Sequence, residues 1–243
     1  MKKEVCVIIP IYKERLSAKE EKATLNNCIC LKEVEKFFIV PDHLDCTYYT
    51  QVFPKVTLVR FPPKYFKSTN TYSRLMLSIN FYKKFEEYRY VLICQTDVWL
   101  LKKTDTLKRF IKLNYDYIGA PWFPKMRIQF PSQKISNWHF REYELSVGNG
   151  GLSLRNVNKT IYILKKYFWL KCLWSENEDL FFSFIGEMID KNYKIPSIKI
   201  SEKFSLETRS REMITKEGII PFGVHAYQKY YRELPRKIER VKI

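Results

Sequence analysis

Residues 90–97 read YVLICQTD, an apolar run that ends in polar residues and an acid. Such a run is typical of a strand buried on both faces of a sheet. The segment before it has apolar residues that recur at helical spacing, namely Tyr72, Leu75, Met76, Ile79 and Tyr82. We therefore predict an amphipathic helix over 72–82 that leads into a central strand.

The same alternation continues toward the N-terminus. Apolar runs begin at residues 4, 36 and 55, and each is closed by a proline, as expected of strands that end at loops. Residues 17–33 lie between the first two runs and have a helix-like composition that starts at a serine. Strand, helix and strand therefore follow one another in the first part of the chain.

Beyond Asp97 we predict a helix near 104–113, a strand in DYIGAP (116–121), a strand at 151–155 and further helices. The whole pattern predicts an α/β fold with a mostly parallel central sheet flanked by helices, whose ligands bind at the carboxyl ends of the strands. Residues 122–147 are expected to form a long irregular loop, a candidate lid or acceptor loop, and 198–200 a strand. No repeat or linker divides the chain, so one domain is expected over 1–243.

Composition limits the classes of function. The 243 residues are 46% hydrophobic and 16% aromatic, which excludes a disordered chain. The formal net charge of +17 favours anionic partners, although a lysine-rich surface without a dedicated site explains it equally well. No apolar run approaches the ~20 residues that a membrane-spanning helix needs, and the six cysteines lack paired zinc spacing. We expect a cytoplasmic protein with reduced thiols.

Two segments stand out as candidates for ligand binding. Asp97 closes the strand at 90–96, where a carboxylate can bind Mg²⁺ or Mn²⁺; a turn or helix-capping role is equally consistent with its position. The segment GNGG (148–151) holds three of the seven glycines, so its backbone is tightly turned or closely approached by another group. A hairpin turn before the next strand explains these glycines almost as well.

A third segment, WSENED (174–179), supplies three carboxylates. Ser175 and Glu178 fit the spacing of a capping box, which leaves Asp179 on the first helical turn. There the helix dipole is expected to keep Asp179 ionised, and it could accept a proton from a hydroxyl group. The alternative is an acid that only favours the helix start. His225, in PFGVHAY, is one of three histidines and gains interest only if it lies near Asp97.

Five ordered segments carry a resemblance to a known family: YVLICQTDVWLL, YDYIGAPWF, VGNGGLSLRN, ENEDLFFS and PFGVHAY. From about Tyr65 to Tyr227, the chain resembles a bacterial family of candidate glycosyltransferases long catalogued as a domain of unknown function. The opening, VIIPIYKE through LNNCICLK, is similar to that of GT-A sugar transferases, whose fold is a nucleotide-binding α/β sandwich.

The resemblance implies roles for individual residues. Asp97 matches the acidic metal-binding motif and His225 the histidine that completes metal coordination, which implies Mn²⁺ or Mg²⁺ as cofactor. Asp179 matches the base of inverting members, while Gly150 and Gly151 match a turn that lines the sugar pocket. The usual D-x-D motif is reduced here to QTD (95–97), so Arg or Lys side chains could hold the donor diphosphate instead.

The implied function is transfer of a sugar from a nucleotide-diphosphate sugar to a glycan or lipid-linked glycan acceptor, with inversion, in bacterial surface-glycan assembly. Residues 1–97 would form the nucleotide-sugar-binding half, and 98–243 the acceptor and catalytic half with a basic C-terminal tail. The alternative is a non-catalytic basic module that binds acidic membrane or polymer surfaces through that tail. Tail binding would also make an enzyme peripheral at the inner face of the membrane. Nucleic acid is not an expected partner, because no nucleic-acid-binding motif is present.

Overall fold

A computed structural model describes residues 2–130 and 141–240. Its strands are β1 (Lys3–Pro10), β2 (Glu35–Pro41), β3 (Thr57–Phe61), β4 (Tyr88–Cys94), β5 (Trp99–Leu100), β6 (Tyr117–Phe130), β7 (Arg141–Asn156), β8 (Ser205–Leu206) and β9 (Gly223–Val224). Six of them form a central sheet in the order β3-β2-β1-β4-β7-β6, and the other three form a small sheet in the order β5-β9-β8.

The helices follow the alternation expected from the sequence, although many are short. Their bounds are α1 (Ala18–Cys30), α2 (Thr47–Val52), α3 (Thr69–Met76), α4 (Ile79–Lys83), α5 (Thr104–Lys112), α6 (Val157–Lys166), α7 (Phe168–Cys172), α8 (Glu178–Phe184), α9 (Ile198–Phe204), α10 (Ser210–Thr215), α11 (Tyr227–Tyr230) and α12 (Leu234–Arg240). A 3₁₀ turn covers Pro63–Phe66, and a π-helical turn, Ile185–Ile189, continues α8. The predicted serine start of α1 is confirmed, because Ser17 and Glu20 form a capping box.

The predicted α/β architecture is confirmed. Strands β3, β2, β1 and β4 run parallel, whereas β7 pairs antiparallel with both β4 and β6. One apolar cluster packs α2, α5 and α9 on one face of the sheet, and a second packs α3, α4, α6 and α8 on the other. The central strand β4 is buried on both faces because its alternate residues enter the two clusters, which explains its uninterrupted apolar run.

The helix predicted over 72–82 is wrong in one respect, because the structure divides it into α3 and α4. Leu77 ends the first helix, and Ser78 takes an extended backbone conformation (φ −88°, ψ 123°) before the second begins. Serine competes with helical hydrogen bonding and favours helix ends. The apolar residues on both sides of the break still enter the same core cluster, so their spacing resembles that of one helix.

The irregular loop predicted over 122–147 is also wrong. Strands β6 and β7 continue through most of it as an antiparallel pair, with Met126 to Phe130 opposite Leu145 to Arg141. Register shifts between Ile118 and Met126 interrupt the alternation of buried and exposed residues that would have marked these strands. The remaining part of the predicted lid, 131–140, lies outside the described residues, as do Trp138 and His139.

The C-terminal region differs from expectation in two ways. The strand predicted at 198–200 is wrong, because these residues begin the helix α9. Phe204, at the end of α9, packs on Phe110 and Phe222, and this tertiary contact overrides the β preference of the isoleucines. Of the three tyrosines in the basic tail, Tyr227 and Tyr231 are buried, and Tyr230 is partly exposed. Among the described residues, no helix is both long and apolar enough to cross a membrane.

Candidate functional site

A cavity of about 470 Å³ opens where β1 and β4 end. Pro10 and Tyr12 line it from the end of β1, and Gln95, Thr96 and Asp97 line it from the end of β4. Glu20 of α1, the turn before α3 and the first residues of α3 complete the wall. The cavity therefore lies at the carboxyl edge of the parallel strands, where the sequence analysis placed the ligand site.

A hydrogen-bonded turn after β4 holds Asp97 at this edge. The Gln95 amide donates to the carbonyl oxygen of Gly151 (3.0 Å), and the Val98 amide donates to the carbonyl oxygen of Gln95 (3.0 Å). Asp97 lies inside this turn, and its side chain is 37% exposed. Because the backbone is fixed on both sides of Asp97, a ligand can bind this partly exposed carboxylate with little further loss of backbone entropy.

The structure brings Asp97 and His225 together as predicted. The small sheet pairs Val224 with Trp99 on one side and with Leu206 on the other, so the residue after β9 lies beside the end of β4. His225 Nε2 is 3.5 Å from Asp97 Oδ1 and 3.2 Å from Gln95 Oε1. The candidate metal pair thus forms one cluster with Gln95, the residue that replaces the first acid of the usual motif.

Glu207 is a residue of this cluster that the sequence analysis missed. Its Oε1 lies 3.6 Å from His225 Nδ1, on the ring nitrogen that faces away from Asp97, and its Oε2 accepts a hydrogen bond from Asn149 Nδ2 (2.6 Å). Burial raises the pKa of the Glu207 carboxyl. Glu207 follows β8, and a strand of two residues has no periodicity by which a sequence could reveal its pairing with β9.

Gly150 and Gly151 lie within β7, so the hairpin-turn explanation of GNGG is wrong. A Cβ atom on Gly151 would overlap the imidazole ring of His225, and one on Gly150 would lie 3.0 Å from Glu178 Oε1 and 3.2 Å from Asp179 Cβ. The missing side chains therefore make room for protein groups on the two sides of the strand. Gly148 has a φ of +143°, a conformation that other residues rarely adopt.

Asp179 lies on the first turn of α8, as predicted, and contacts the same glycine segment. Its Oδ2 accepts a hydrogen bond from the Gly150 amide (3.2 Å) and its Oδ1 accepts one from the Leu180 amide (2.8 Å). Burial and the neighbouring Glu178 raise the pKa of Asp179 to about 7. The expectation that the helix dipole keeps it fully ionised is wrong, because the loss of solvent and a second carboxylate outweigh the dipole.

The predicted capping box of Ser175 and Glu178 is wrong as well. Asn177 precedes α8 without a side-chain cap, and the Glu178 side chain points into the protein. Glu178 accepts hydrogen bonds from Arg155 (3.0 Å) and Ser73 (2.8 Å). Arg155 is completely buried and also donates to the Tyr82 hydroxyl (3.0 Å). Glu178 therefore neutralises the buried charge of Arg155 and does not cap the helix.

The donor atoms around Asp97 suit a hard divalent cation. Gln95 offers an amide oxygen, Asp97 a carboxylate and His225 an imidazole nitrogen, and Mg²⁺ or Mn²⁺ accepts such ligands. Throughout residues 2–130 and 141–240, no group of three or more His, Cys, Asp or Glu side chains is arranged to hold a metal ion. A divalent cation at this site would therefore need Gln95 as a ligand in addition to Asp97 and His225.

A family model described as "Protein of unknown function (DUF5672)" matches residues 55–225. No curated protein matches the chain.

Solved structures with a similar fold include three sugar transferases. The galactosyltransferase LgtC, in complex with donor and acceptor sugar analogs, is 14% identical with a TM-score of 0.56, over 90% of this chain and 86% of LgtC. Mouse xyloside xylosyltransferase 1 is 10% identical with a TM-score of 0.56, over 91% of this chain and 97% of that one. The glycosyltransferase GlyE of Streptococcus pneumoniae TIGR4 is 13% identical with a TM-score of 0.51, over 92% of this chain and 54% of GlyE. This chain thus spans about half the length of GlyE. The fold is that of GT-A glycosyltransferases, as the resemblance implied.

Proposed function

The chain belongs to the DUF5672 family, and from its site we propose that it is a glycosyltransferase that moves a sugar from a nucleotide-diphosphate sugar to a hydroxyl acceptor. One observation carries the proposal: a cavity at the carboxyl edge of β1 and β4 is lined by Asp97, and His225 lies 3.5 Å from that carboxylate. A module that only binds an acidic surface has no need of this pair.

The donor is proposed to bind in this cavity. Its lining residues lie between Pro10 and Asp97, which supports the assignment of 1–97 as the nucleotide-sugar-binding half. Tyr12 offers an aromatic face and Ser68 a hydroxyl group for the nucleoside. Lys67 also lines the cavity and could pair with a phosphate.

Gln95, Asp97 and His225 are the residues that would hold a divalent cation. Mn²⁺ or Mg²⁺ bound there supplies positive charge for the diphosphate leaving group. Glu207 accepts a hydrogen bond from Asn149 and faces His225 Nδ1, an arrangement that orients the ring and directs Nε2 toward Asp97.

We assign the general base to Asp179. A carboxylate with a pKa of about 7 is half ionised at neutral pH and can accept the proton of an attacking hydroxyl group. Gly150 donates to Asp179, and the adjacent Gly151 packs against His225, so neighbouring residues of β7 connect the base with the proposed metal ligands. Attack by the activated hydroxyl on the face opposite the leaving diphosphate inverts the anomeric carbon.

The acceptor half is proposed to be 98–243, which contributes Asp179, Gly150, Gly151 and His225. By its resemblance to the bacterial family, we place the reaction in the cytoplasm, in the assembly of a surface glycan, with a glycan or lipid-linked glycan as acceptor.

The proposal is tested by incubation of the purified chain with UDP-, GDP-, CMP- and dTDP-linked sugars and Mn²⁺. Water replaces the hydroxyl acceptor and takes the sugar slowly, and release of the nucleotide is the readout. We expect release from one nucleotide class and much slower release by Asp97→Ala. The exposed acid Glu176 supplies the matched control, Glu176→Ala, which should release nucleotide at the wild-type rate. Equal rates in wild type and Asp97→Ala would contradict the proposed site.

A further inference from the structure

The surface formed by α6 and α7 displays large apolar side chains to solvent. Trp169 is 79% exposed, Tyr162 51%, Leu173 48% and Phe168 45%. Leaving such side chains in water forgoes the free energy of burying them, so a contiguous group of this kind marks an interaction surface. Together with Lys165 and Lys171, these four residues are called the α6–α7 patch.

Three members of the patch are in contact, because Phe168 packs against both Trp169 and Lys171. The rings of Phe168 and Trp169 pack edge to face at 5.5 Å, and the Lys171 ammonium lies 5.0 Å from the Phe168 ring centroid. Tyr162 lies beneath the neighbouring Lys166 ammonium at 5.6 Å. Aromatic rings interleaved with lysines are typical of protein surfaces that lie at the headgroup level of a bilayer.

The charge of this region is of one sign. Residues 157–175 contain four lysines and no acidic residue. Lys166 pairs with Asp190 at 2.7 Å, but the Asp190 side chain is only 4% exposed and adds no negative surface. Glu176 borders the region. The patch therefore combines insertable aromatic groups with positive charge, which complements an anionic lipid surface.

A packed scaffold supports the patch. Ile161 and Leu164 of α6 are buried in the main core, so the helix presents its other face outward. The chain after α7 is fixed by Trp174, whose ring stacks on Phe130 at 5.6 Å and meets Phe181 edge to face. Exposure of Trp169 thus follows from the fold around it.

We propose that the α6–α7 patch binds the anionic headgroups of a membrane surface. A second copy of the chain fits less well, since each copy would bring the same lysines and a net charge of +17 to the contact. The site expected from the sequence was the C-terminal tail, but Tyr227 and Tyr231 are buried there and only Tyr230 is partly exposed, so the tail offers a bilayer less apolar surface than the α6–α7 patch does. The inference does not depend on transferase activity.

Vesicle flotation tests the inference directly. The full chain is mixed with phosphatidylcholine vesicles that contain either no phosphatidylglycerol or one third of it. We expect the protein to float with the anionic vesicles only, and to bind more weakly as salt is raised. Equal recovery with both vesicles, or with neither, would overturn the proposal.

Two sets of variants locate the contact. Lys165→Glu with Lys171→Glu, and Phe168→Ser with Trp169→Ser, should each lower partitioning by about tenfold or more, since one lysine near an anionic surface contributes about fivefold. The matched controls are Lys112→Glu with Lys199→Glu, and Ile29→Ser, which alter exposed residues of α5, α9 and α1. An equal loss in the lysine control would assign binding to net charge alone, and an equal loss in Ile29→Ser would assign it to exposed apolar residues in general; either result would overturn the patch.

A spectroscopic readout separates lipid contact from altered folding. Brominated phosphatidylcholine, mixed with phosphatidylglycerol, quenches tryptophans that enter the bilayer. Quenching is expected in the wild type and should be lost in Trp169→Phe, which keeps an aromatic ring and should still float. Quenching that persists in Trp169→Phe would place the contact elsewhere, and a concentration-dependent dimer that Phe168→Ser with Trp169→Ser abolishes would assign the patch to self-association.

Discussion

His225 Nε2 lies 3.5 Å from Asp97 Oδ1, although the two residues follow strands of different sheets. The contact depends on the pairing of Val224 with Trp99, because this pairing brings the C-terminal region over the end of β4. The Gly151 carbonyl fixes the other side of the turn by accepting a hydrogen bond from Gln95. Three distant parts of the chain therefore define one site.

The first prediction concerns the base. Asp179→Asn removes the proton acceptor but retains the shape of the side chain, so kcat should fall by about 100-fold or more while the donor Kd stays within about twofold. Steady-state rates and calorimetric titration measure the two quantities, with Glu176→Gln as the control. A variant that kept more than about a tenth of the rate, a loss below about 1.4 kcal/mol, would refute the assignment.

The raised pKa of Asp179 also predicts how stability depends on pH. The folded protein holds this proton up to a pH of about 7, whereas the unfolded chain releases it near its ordinary value of 3.8. The contribution of Asp179 to the free energy of unfolding of the wild type therefore falls as the pH rises from 3.8 to about 7. Asp179→Asn lacks this loss. The free energy of unfolding of the variant minus that of the wild type should therefore increase by at least about 1 kcal/mol from pH 4 to pH 8.

Asp45 gives a control of opposite sign. Hydrogen bonds from the Thr47 amide and hydroxyl lower the pKa of Asp45, so its contribution is present above pH 3.8 and is lost as the pH falls below that value. Denaturant unfolding of Asp45→Asn should show a deficit at neutral pH that disappears in acid. If both variants followed the same trend, the pH dependence attributed to Asp179 would be incorrect.

Gly151 is predicted to be required for the position of His225. In Gly151→Ala the new methyl group would overlap the imidazole, so the ring must move and metal-dependent donor binding should be lost. Overpacking of this kind costs about 1–3 kcal/mol of stability. Gly218→Ala is the control. A Cβ atom there meets no atom within 4 Å, so this variant has only the backbone strain of a φ of +71° and no steric overlap. Unchanged donor binding in Gly151→Ala would contradict the geometry.

The buried pair of Arg155 and Glu178 should behave as a unit. Arg155→Met leaves the Glu178 charge without its partner and should lower the free energy of unfolding by about 3–5 kcal/mol. The double variant Arg155→Met with Glu178→Leu removes both charges and should recover much of that loss. Urea titration of the four proteins gives the coupling energy, and a double variant as unstable as the sum of the single ones would indicate independent side chains.

The strands and helices that bury whole apolar faces could be predicted from the sequence. The central strand β4 and the serine-capped α1 are examples, because pattern and capping are local signals. The division between α3 and α4 was hidden, since both helices feed the same core and keep the same spacing. The β6–β7 pair was missed because its register shifts break the alternation on which strand prediction depends.

At the site, the candidate residues came from local motifs, and residues placed by tertiary contacts were missed. Asp97 and His225 were expected to meet, and the structure joins them. Glu207 was missed because the two-residue strands that position it give no pattern. The role of Glu178 was predicted wrongly, because its spacing from Ser175 fits a capping box. In the structure its carboxylate accepts a hydrogen bond from the fully buried Arg155, which is distant in sequence.

The most direct measurement is calorimetric titration of the wild type and Asp97→Ala with the panel of nucleotide sugars, each with and without Mn²⁺. We predict that one nucleotide class binds the wild type, that Mn²⁺ strengthens this binding by at least about tenfold, and that Asp97→Ala abolishes the strengthening. The proposed site would be contradicted by binding whose affinity changes neither with Mn²⁺ nor with Asp97→Ala, or by a failure of every nucleotide sugar to bind.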